Sequence, residues 1–584
     1  TNGGELNLYS SIVFNNTALW GGGISVYDEN IYDNKSPIMN IYNSIIHNNT
    51  ATNGDGGGMY IWYSDVTMKN TIISNNAGYY GGGLSIGGDS TTVTLRQSSF
   101  INNDATGNGD EIYTLGSPTI SLINTYFNNP NNNNNIYESG SRPTWKTCSD
   151  NLCTETPFNG TCNAVDNSAT KLGVICPSIE SCNSNERIYV TQGINAGTPC
   201  EPTVGEWNCA GRTNQGIFIR SSNCTITGNN HVAVTNTLEI NGTNTDMNHL
   251  VTITAANTKR HFYLNHANAK LILRYLKLVG GDVSSYNSGP DWDGGSILIW
   301  TNGGELNLYS SIVFNNKAKY GGGIFAYGDS STNKNAIMNI DNSIIHNNTA
   351  TYDGGGIYMK YAVAIIENTK IYDNQAGDDG GGMYVQYGNV TIKNTNFTGN
   401  NADDDGGGIY MVNADAIIEN TKIYDNVAYY YEGYDDGGGI YMAYTVAKID
   451  NTKIDNNQAG EDGGGMYIAN SDVTMTYTTF TANNASDDGG GMRIYASDVT
   501  MTYTNFTANK ASDDGGGMDI VDSNVTIKNT TFTGNKASDS GGGMAIYDSP
   551  VTLRQTSFIN NDATNNGGGM AIYDSPVTLR QTSF

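Results

Sequence analysis

Read forward from Gly406, the chain runs GGGIYMVNADAIIENTKIYDNVA, with Ile409 and Met411 alternating with outward positions, then Ala416 and Ile418, then Ile423. From Gly515 the same slots hold Met518 and Ile520, Val525 and Ile527, and Phe532. Apolar alternation with period two predicts short half-buried strands, three per repeat. Each stretch is too short for a helix, and Gly, Asn, Asp and Ser punctuate them. The pattern returns on a fixed period: glycine triplets start at Gly380, Gly406, Gly437, Gly463, Gly489, Gly515, Gly541 and Gly567, 26 residues apart except for one interval of 31. Such a period marks stacked supersecondary units. Three short strands cannot bury a core alone, but each can pair in parallel with its copy one turn later, about 4.8 Å away. The predicted fold is all-β: a right-handed parallel β-helix in tandem solenoid domains, with a disulfide-bearing connector.

Two further columns keep the same register. Asn recurs at Asn374, Asn400, Asn426, Asn457, Asn483, Asn509, Asn535 and Asn561, and Ala two residues later, as in Ala376 and Ala402. Asn tolerates left-handed backbone, and its amide can bond an identical amide above and below. A stacked Asn ladder at one corner is expected, with the small Ala letting the chain turn close to the core. The glycines are expected to supply backbone angles closed to other residues.

Longer copies define the organisation. TNGGELNLYSSIVFNN occupies 1–16 and 301–316, and NSIIHNNTAT occupies 43–52 and 342–351. Residues 1–130 read as the C-terminal part of one β-helix domain, with a decayed turn near Gly107. Residues 131–183 read as a Cys-rich connector, and 184–300 as the N-terminal cap and irregular first coils of a second β-helix. Residues 301–584 carry the regular glycine repeat. Both ends fall inside a coil, which leads to the expectation that the molecule continues beyond them, as a longer tandem chain or by head-to-tail joining of copies.

Composition adds a compartment. Net charge is −27, which argues against nucleic-acid partners, and no apolar run approaches the length of a membrane span. All eight cysteines, Cys148, Cys153, Cys162, Cys176, Cys182, Cys200, Cys209 and Cys224, lie outside the regular repeats. An even, clustered set reads as disulfides in an oxidising compartment, with zinc as the alternative. Asn-x-Ser/Thr acceptors stand at Asn15, Asn48, Asn159, Asn223, Asn241, Asn347, Asn389, Asn396, Asn484, Asn505, Asn524 and Asn529. An extracellular or cell-surface glycoprotein is expected.

The motif GGGIY or GGGMY followed by F-x-x-N (Phe397 to Asn400, Phe506 to Asn509, Phe532 to Asn535, Phe558 to Asn561) resembles the repeat of the chlamydial polymorphic outer-membrane proteins. That repeat belongs to the pectin-lyase-like β-helix class and is shared by surface proteins of protists and algae. The resemblance covers most of 1–125 and 301–584, and implies a secreted or surface-displayed protein with adhesive or structural roles. The bacterial members end in an outer-membrane β-barrel segment, which this chain does not show.

Two columns are candidate sites. Asp378, Asp379, Asp404, Asp405, Asp435, Asp436, Asp487, Asp488, Asp513 and Asp514 precede the glycines, with Glu461, Asp462 and Asp539. Stacking such charges about 4.8 Å apart costs about 0.9 kcal/mol per neighbouring pair in water, and Ca²⁺ bridging the carboxylates would relieve it; a solvated acidic turn is the plainer reading. Tyr358, Tyr384, Tyr410, Tyr441 and Tyr467 form an outward column that Arg493, Asp519 and Ala545 end. It reads as a stabilising aromatic ladder, or else as a carbohydrate platform. Because the acidic residues belong to the repeat, the chain is expected not to be an enzyme. The function expected is a structural secreted glycoprotein forming a rigid rod or filament by end-to-end stacking. The alternatives are a surface adhesin binding a glycan or receptor and, more remotely, a polysaccharide lyase or hydrolase. Partners are then copies of itself, glycans or surface proteins, without membrane insertion, and Ca²⁺ is the one candidate cofactor.

Overall fold

The computed structural model describes residues 5–155 and 188–584, apart from residues 10, 29–35, 43, 70, 97, 124–125, 129–135, 140–143, 150–151, 192–207, 210–211, 214–215, 221–222, 227–230, 243, 256–257, 286–291, 301–302, 331–333 and 430–434. Every regular element in it is a strand, and the strands stack in parallel coil on coil as a right-handed β-helix. The chain divides into two compact units: Thr1–Gln192 with Asn208–Ser221, and Gly193–Trp207 with Ser222–Phe584.

One coil of the second unit shows how the sequence builds the rest. After the triplet at Gly380 come strands Met383–Gln386, Asn389–Lys393 and Asn396–Thr398, each pairing with its copy one repeat on. A fourth, two-residue strand, Gln375–Ala376 in one coil and Asn401–Ala402 in the next, forms its own ladder. The sequence predicts three strands and a tight turn at Ala; the turn is itself hydrogen-bonded between coils. Side chains at Met383, Val385, Val390, Ile392 and Phe397 point inward and are buried. The phenylalanines Phe480, Phe506, Phe532 and Phe558 stack at 4.7–4.8 Å inside the unit. Buried Thr395 bonds the Lys393 carbonyl at 2.9 Å, a polar column repeated at Thr369, Thr421 and Thr478.

The Asn ladder is present and saturated. Asn400 Nδ2 donates to Asn426 Oδ1 at 3.0 Å and to the Ile371 carbonyl at 2.9 Å, while the Asn400 backbone N–H also donates to Asn426 Oδ1 at 3.0 Å. The same bonds link Asn374 through Asn535, all at most 1% exposed, and reach Asn561 at the last rung. The expected left-handed backbone falls one residue earlier, on Asp373, Gly399, Asp425, Asn456, Ala482, Ala508, Gly534 and Asn560. The ladder asparagines themselves are not left-handed, and their amides reach both neighbouring coils. Within the glycine triplet only the first residue has positive φ, +68° at Gly380. The other two are glycine for another reason: a Cβ on Gly381 would lie 2.4 Å from the Asn401 carbonyl oxygen of the next coil.

The first unit repeats this plan from Glu5–Tyr9 to Thr144–Ser149, where Leu152–Glu155 turns back antiparallel. Its Asn ladder runs Asn16, Asn49, Asn76 and Asn103. The decayed turn expected near Gly107 centres on Gly109, whose φ is +74°. Asp110 and Glu111 follow it in the glycine slots, and the buried Glu111 carboxyl accepts from Asn103 Nδ2, closing that ladder.

Candidate functional site

The paired acidic residues before each triplet separate into two environments. The second of each pair forms a hydrogen-bonded ladder. Asp379 Oδ1 accepts the Asp405 backbone N–H at 3.2 Å, Asp405 that of Asp436 at 2.7 Å, and Asp436 that of Asp462 at 3.0 Å. Asp462, Asp488 and Asp514 extend the series to Ser540, at 2.8–2.9 Å. Burial pushes these carboxyls up, and neighbouring carboxylates add to it: Asp353 to about 7, Asp379 to about 8, Asp405 to about 9 and Asp436 to about 8. Asp462 is raised only to about 6, because the Arg493 guanidinium opposes its burial. The first residue of each pair is more open at Asp378, Asp404, Asp487 and Asp513, whereas Asp435 is 1% exposed. Among the described residues, carboxylates converge closely enough for a shared metal ion in two groups, Asp462–Asp487–Asp488 and Asp513–Asp514–Asp539. Asp378, Asp379, Asp404, Asp405, Asp435 and Asp436 fall in neither.

Beside this ladder runs the tyrosine column. Tyr358, Tyr384, Tyr410, Tyr441 and Tyr467 stack in sequence with ring centroids 4.7–5.2 Å apart, and Phe325 joins at 4.7 Å. These rings are less open than an outward ladder suggests: Tyr358 and Tyr384 are each 7% exposed. Burial holds their phenols above the ordinary range. At the next rung Arg493 replaces the ring. Its guanidinium meets Asp462 and Asp488 at 2.6 Å each and Asp519 at 3.5 Å, Asp519 being fully buried. The sequence shows these residues only as the end of a column; stacking makes Arg493 the counter-charge of three carboxylates.

A concave feature of the second unit lies elsewhere and is invisible in the periodicity. A groove of about 830 Å³ runs along the outer face of the sheet that contains Asn389–Lys393. One register column forms its floor: Val363, Asn389, Asp415, Val446, Asp472, Asp498 and Asn524. A parallel column carries Ile365, Thr391, Ile417, Lys448, Thr474, Thr500 and Thr526. A bay lined by Tyr444, Asn470, Ala496 and Asp522 opens beside it, and Tyr444 is 61% exposed. Asp415, Asp472 and Asp498 make no ion pair and no side-chain hydrogen bond, whereas Lys448 reaches Glu419 at 3.8 Å.

The modification candidates are unevenly placed. Asn15, Asn48, Asn223, Asn347, Asn389 and Asn524 are exposed; Asn396, Asn484, Asn505 and Asn529 are half-buried. Asn241 is 8% exposed and donates to Glu239 at 3.1 Å, and Asn159 lies outside the described residues. Cys224 is disulfide-bonded. Cys148 and Cys153 are backbone register partners on the antiparallel strands, Cys209 lies on the short strand Asn208–Cys209, and Cys162, Cys176, Cys182 and Cys200 lie outside the described residues.

This geometry defines the class as a right-handed parallel β-helix protein. The family described as the right handed beta helix region matches residues 295–460 and 435–584. No curated protein sequence matches the chain. Among solved structures, the periplasmic alginate epimerase AlgG is similar at 11% identity and a TM-score of 0.34, over 62% of this chain and 77% of that one. The catalytic unit of a thermostable GH87 alpha-1,3-glucanase from Streptomyces thermodiastaticus is similar at 14% identity and 0.34, over 63% and 64%. The Dettilon tailspike protein is similar at 12% identity and 0.24, over 61% and 62%. The expectation that the chain is not an enzyme is overturned here and withdrawn, since the similar structures include an epimerase and a glucanase. Its premise fails physically as well: a repeat fixes backbone and inward residues, while outward slots such as Arg493 and Asp472 differ from rung to rung.

Proposed function

We propose that the protein is an extracellular or surface β-helix that holds an extended polysaccharide along the groove between Val363 and Asn524. The carrying observation is the groove itself, which follows the coil axis across seven rungs of one register column. A rung spacing of about 4.8 Å is close to the advance of an extended pyranose chain per residue. The groove mixes hydrogen-bonding groups with apolar Val446 on its floor and Ile417 in the parallel column, and Tyr444 stands beside it, the mixture that sugars use. The Cys224 disulfide supports an oxidising compartment. Affinity electrophoresis against a panel of polysaccharides tests the reading: retardation that Val446→Arg removes supports it, and no retardation by any polysaccharide sinks it. Asn389 and Asn524 head Asn-x-Thr acceptors in the floor column, so glycans attached there would cover its ends. Mapping of those two sites by mass spectrometry shows how much groove remains open.

A second reading is turnover of the bound chain. Asp472 and Asp498 occupy adjacent rungs of the floor, in register. Carboxylate pairs a few ångströms apart are the working unit of glycoside hydrolysis. Release of reducing ends, abolished by Asp472→Asn, would establish it; intact polysaccharide after prolonged incubation would remove it. End-to-end filament formation remains a proposal supported by the unbroken ladders of the second unit, and negative-stain microscopy of the native material checks it. For calcium we propose Asp513, Asp514 and Asp539, the convergent group without an arginine bridge. A melting temperature indifferent to chelator would refute that assignment.

A further inference from the structure

Resting on the polysaccharide reading of the groove, we propose that the polymer it takes is cationic, an amino-sugar chain with free amines rather than a uronate or a neutral glycan. The argument is charge complementarity inside the groove. Asp415, Asp472 and Asp498 project from the floor without an ion pair or side-chain hydrogen bond, and Asp522 lines the adjoining bay. The amine that lines the groove, Lys448, already faces Glu419, which Lys393 also meets at 3.2 Å. Three of the seven floor positions are therefore uncompensated carboxylates, within a chain of net charge −27. A polyuronate would meet repulsion at the Asp415, Asp472 and Asp498 rungs. A neutral chain would gain no ionic attraction from these exposed carboxylates.

A protonated amine on successive sugars supplies a counter-charge at nearly the rung repeat. Asp472 and Asp498 stand on consecutive rungs, and Asp415 stands two rungs before Asp472, with Val446 between them. Val446 is 57% exposed and offers an apolar surface to one pyranose face. The pattern of acid, apolar, acid, acid along one column is what an amino-sugar chain lying parallel to the axis would read.

The test is calorimetric titration of the full chain, at mildly acidic pH, with four probes of similar length: a glucosamine oligomer, its fully N-acetylated form, an oligogalacturonate and a lysine-rich peptide. The expected result is tightest binding of the glucosamine oligomer, weakened by added salt, and weakened about five-fold or more in the Asp472→Asn, Asp498→Asn double variant. Both sites are exposed, so an unchanged melting curve confirms that the variant is folded. Equal or tighter binding of the acetylated oligomer, lost in Val446→Arg, overturns the cationic assignment and leaves the groove reading standing. Binding of the galacturonate overturns the assignment in the same way. Preference for the peptide makes the groove a protein-docking face and overturns both readings, as does failure of every probe to bind.

Discussion

Two ladders of side chains run through the regular coils of the second unit, and they solve the same stacking problem in opposite ways. In the Asn ladder each Oδ1 accepts a backbone N–H and an amide N–H from the previous rung, and each Nδ2 donates twice. In the Asp ladder each Oδ1 accepts a backbone N–H from the following rung, at similar distances, but no side-chain hydrogen bond links one Asp to the next. The amide column is neutral and self-complementary, so it can be sealed from water at no electrostatic cost. The carboxylate column buries like charges, and its stability must come from protons, cations or Arg493. The first holds the fold; the second makes part of it responsive to conditions.

Exchanging the two chemistries breaks the comparison most severely. Asn426→Asp places an unpaired charge at a fully buried rung and should cost about 3–5 kcal/mol in urea unfolding. A cost under about 1 kcal/mol would show that the amide column does not hold the coils together. Next in size is Arg493→Met, which strands Asp462, Asp488 and Asp519. A loss of about 3 kcal/mol at neutral pH is expected, largely restored by adding Asp519→Asn.

A slope rather than a step follows from the Asp ladder itself. Asp379, Asp405 and Asp436 titrate at about 8, 9 and 8 in the folded chain, above their unfolded values. The folded state thus binds more protons. The contribution is fully present below the ordinary carboxylate range and is lost as pH rises through those values. The melting temperature should rise as pH is lowered from alkaline to mildly acid, and Asp405→Asn should flatten the curve while keeping the Oδ1 acceptor. The smallest effect is expected at Tyr410→Leu, which removes two ring stacks and should cost about 1–2 kcal/mol.

What was legible in the sequence is what repetition enforces. Inward slots such as Ile392 and Phe397, the Asn column and the glycine triplets recur because each coil must match its neighbours, so alternation and period disclosed the β-helix. Finer assignments failed where several residues shared one composition. The left-handed corner sits on the residue before each ladder Asn, and two glycines of each triplet answer to a neighbouring carbonyl rather than to φ. The adjacent aspartates read as one acidic stripe, yet one of each pair is a backbone acceptor. The groove was illegible because its floor, from Val363 through Asp415 to Asn524, has no constant residue. It is set by the shape of the sheet and by what faces out on each rung.

The central claim is that a linear polysaccharide lies along the axis of the second unit. Its most direct test is the affinity of the full chain for one oligosaccharide series of increasing length, measured by calorimetry. Affinity should climb with each added sugar until about six or seven residues, the span of the seven-rung floor, and then level off. Affinity independent of length beyond one or two sugars would contradict an axial groove and place any sugar contact at a single rung.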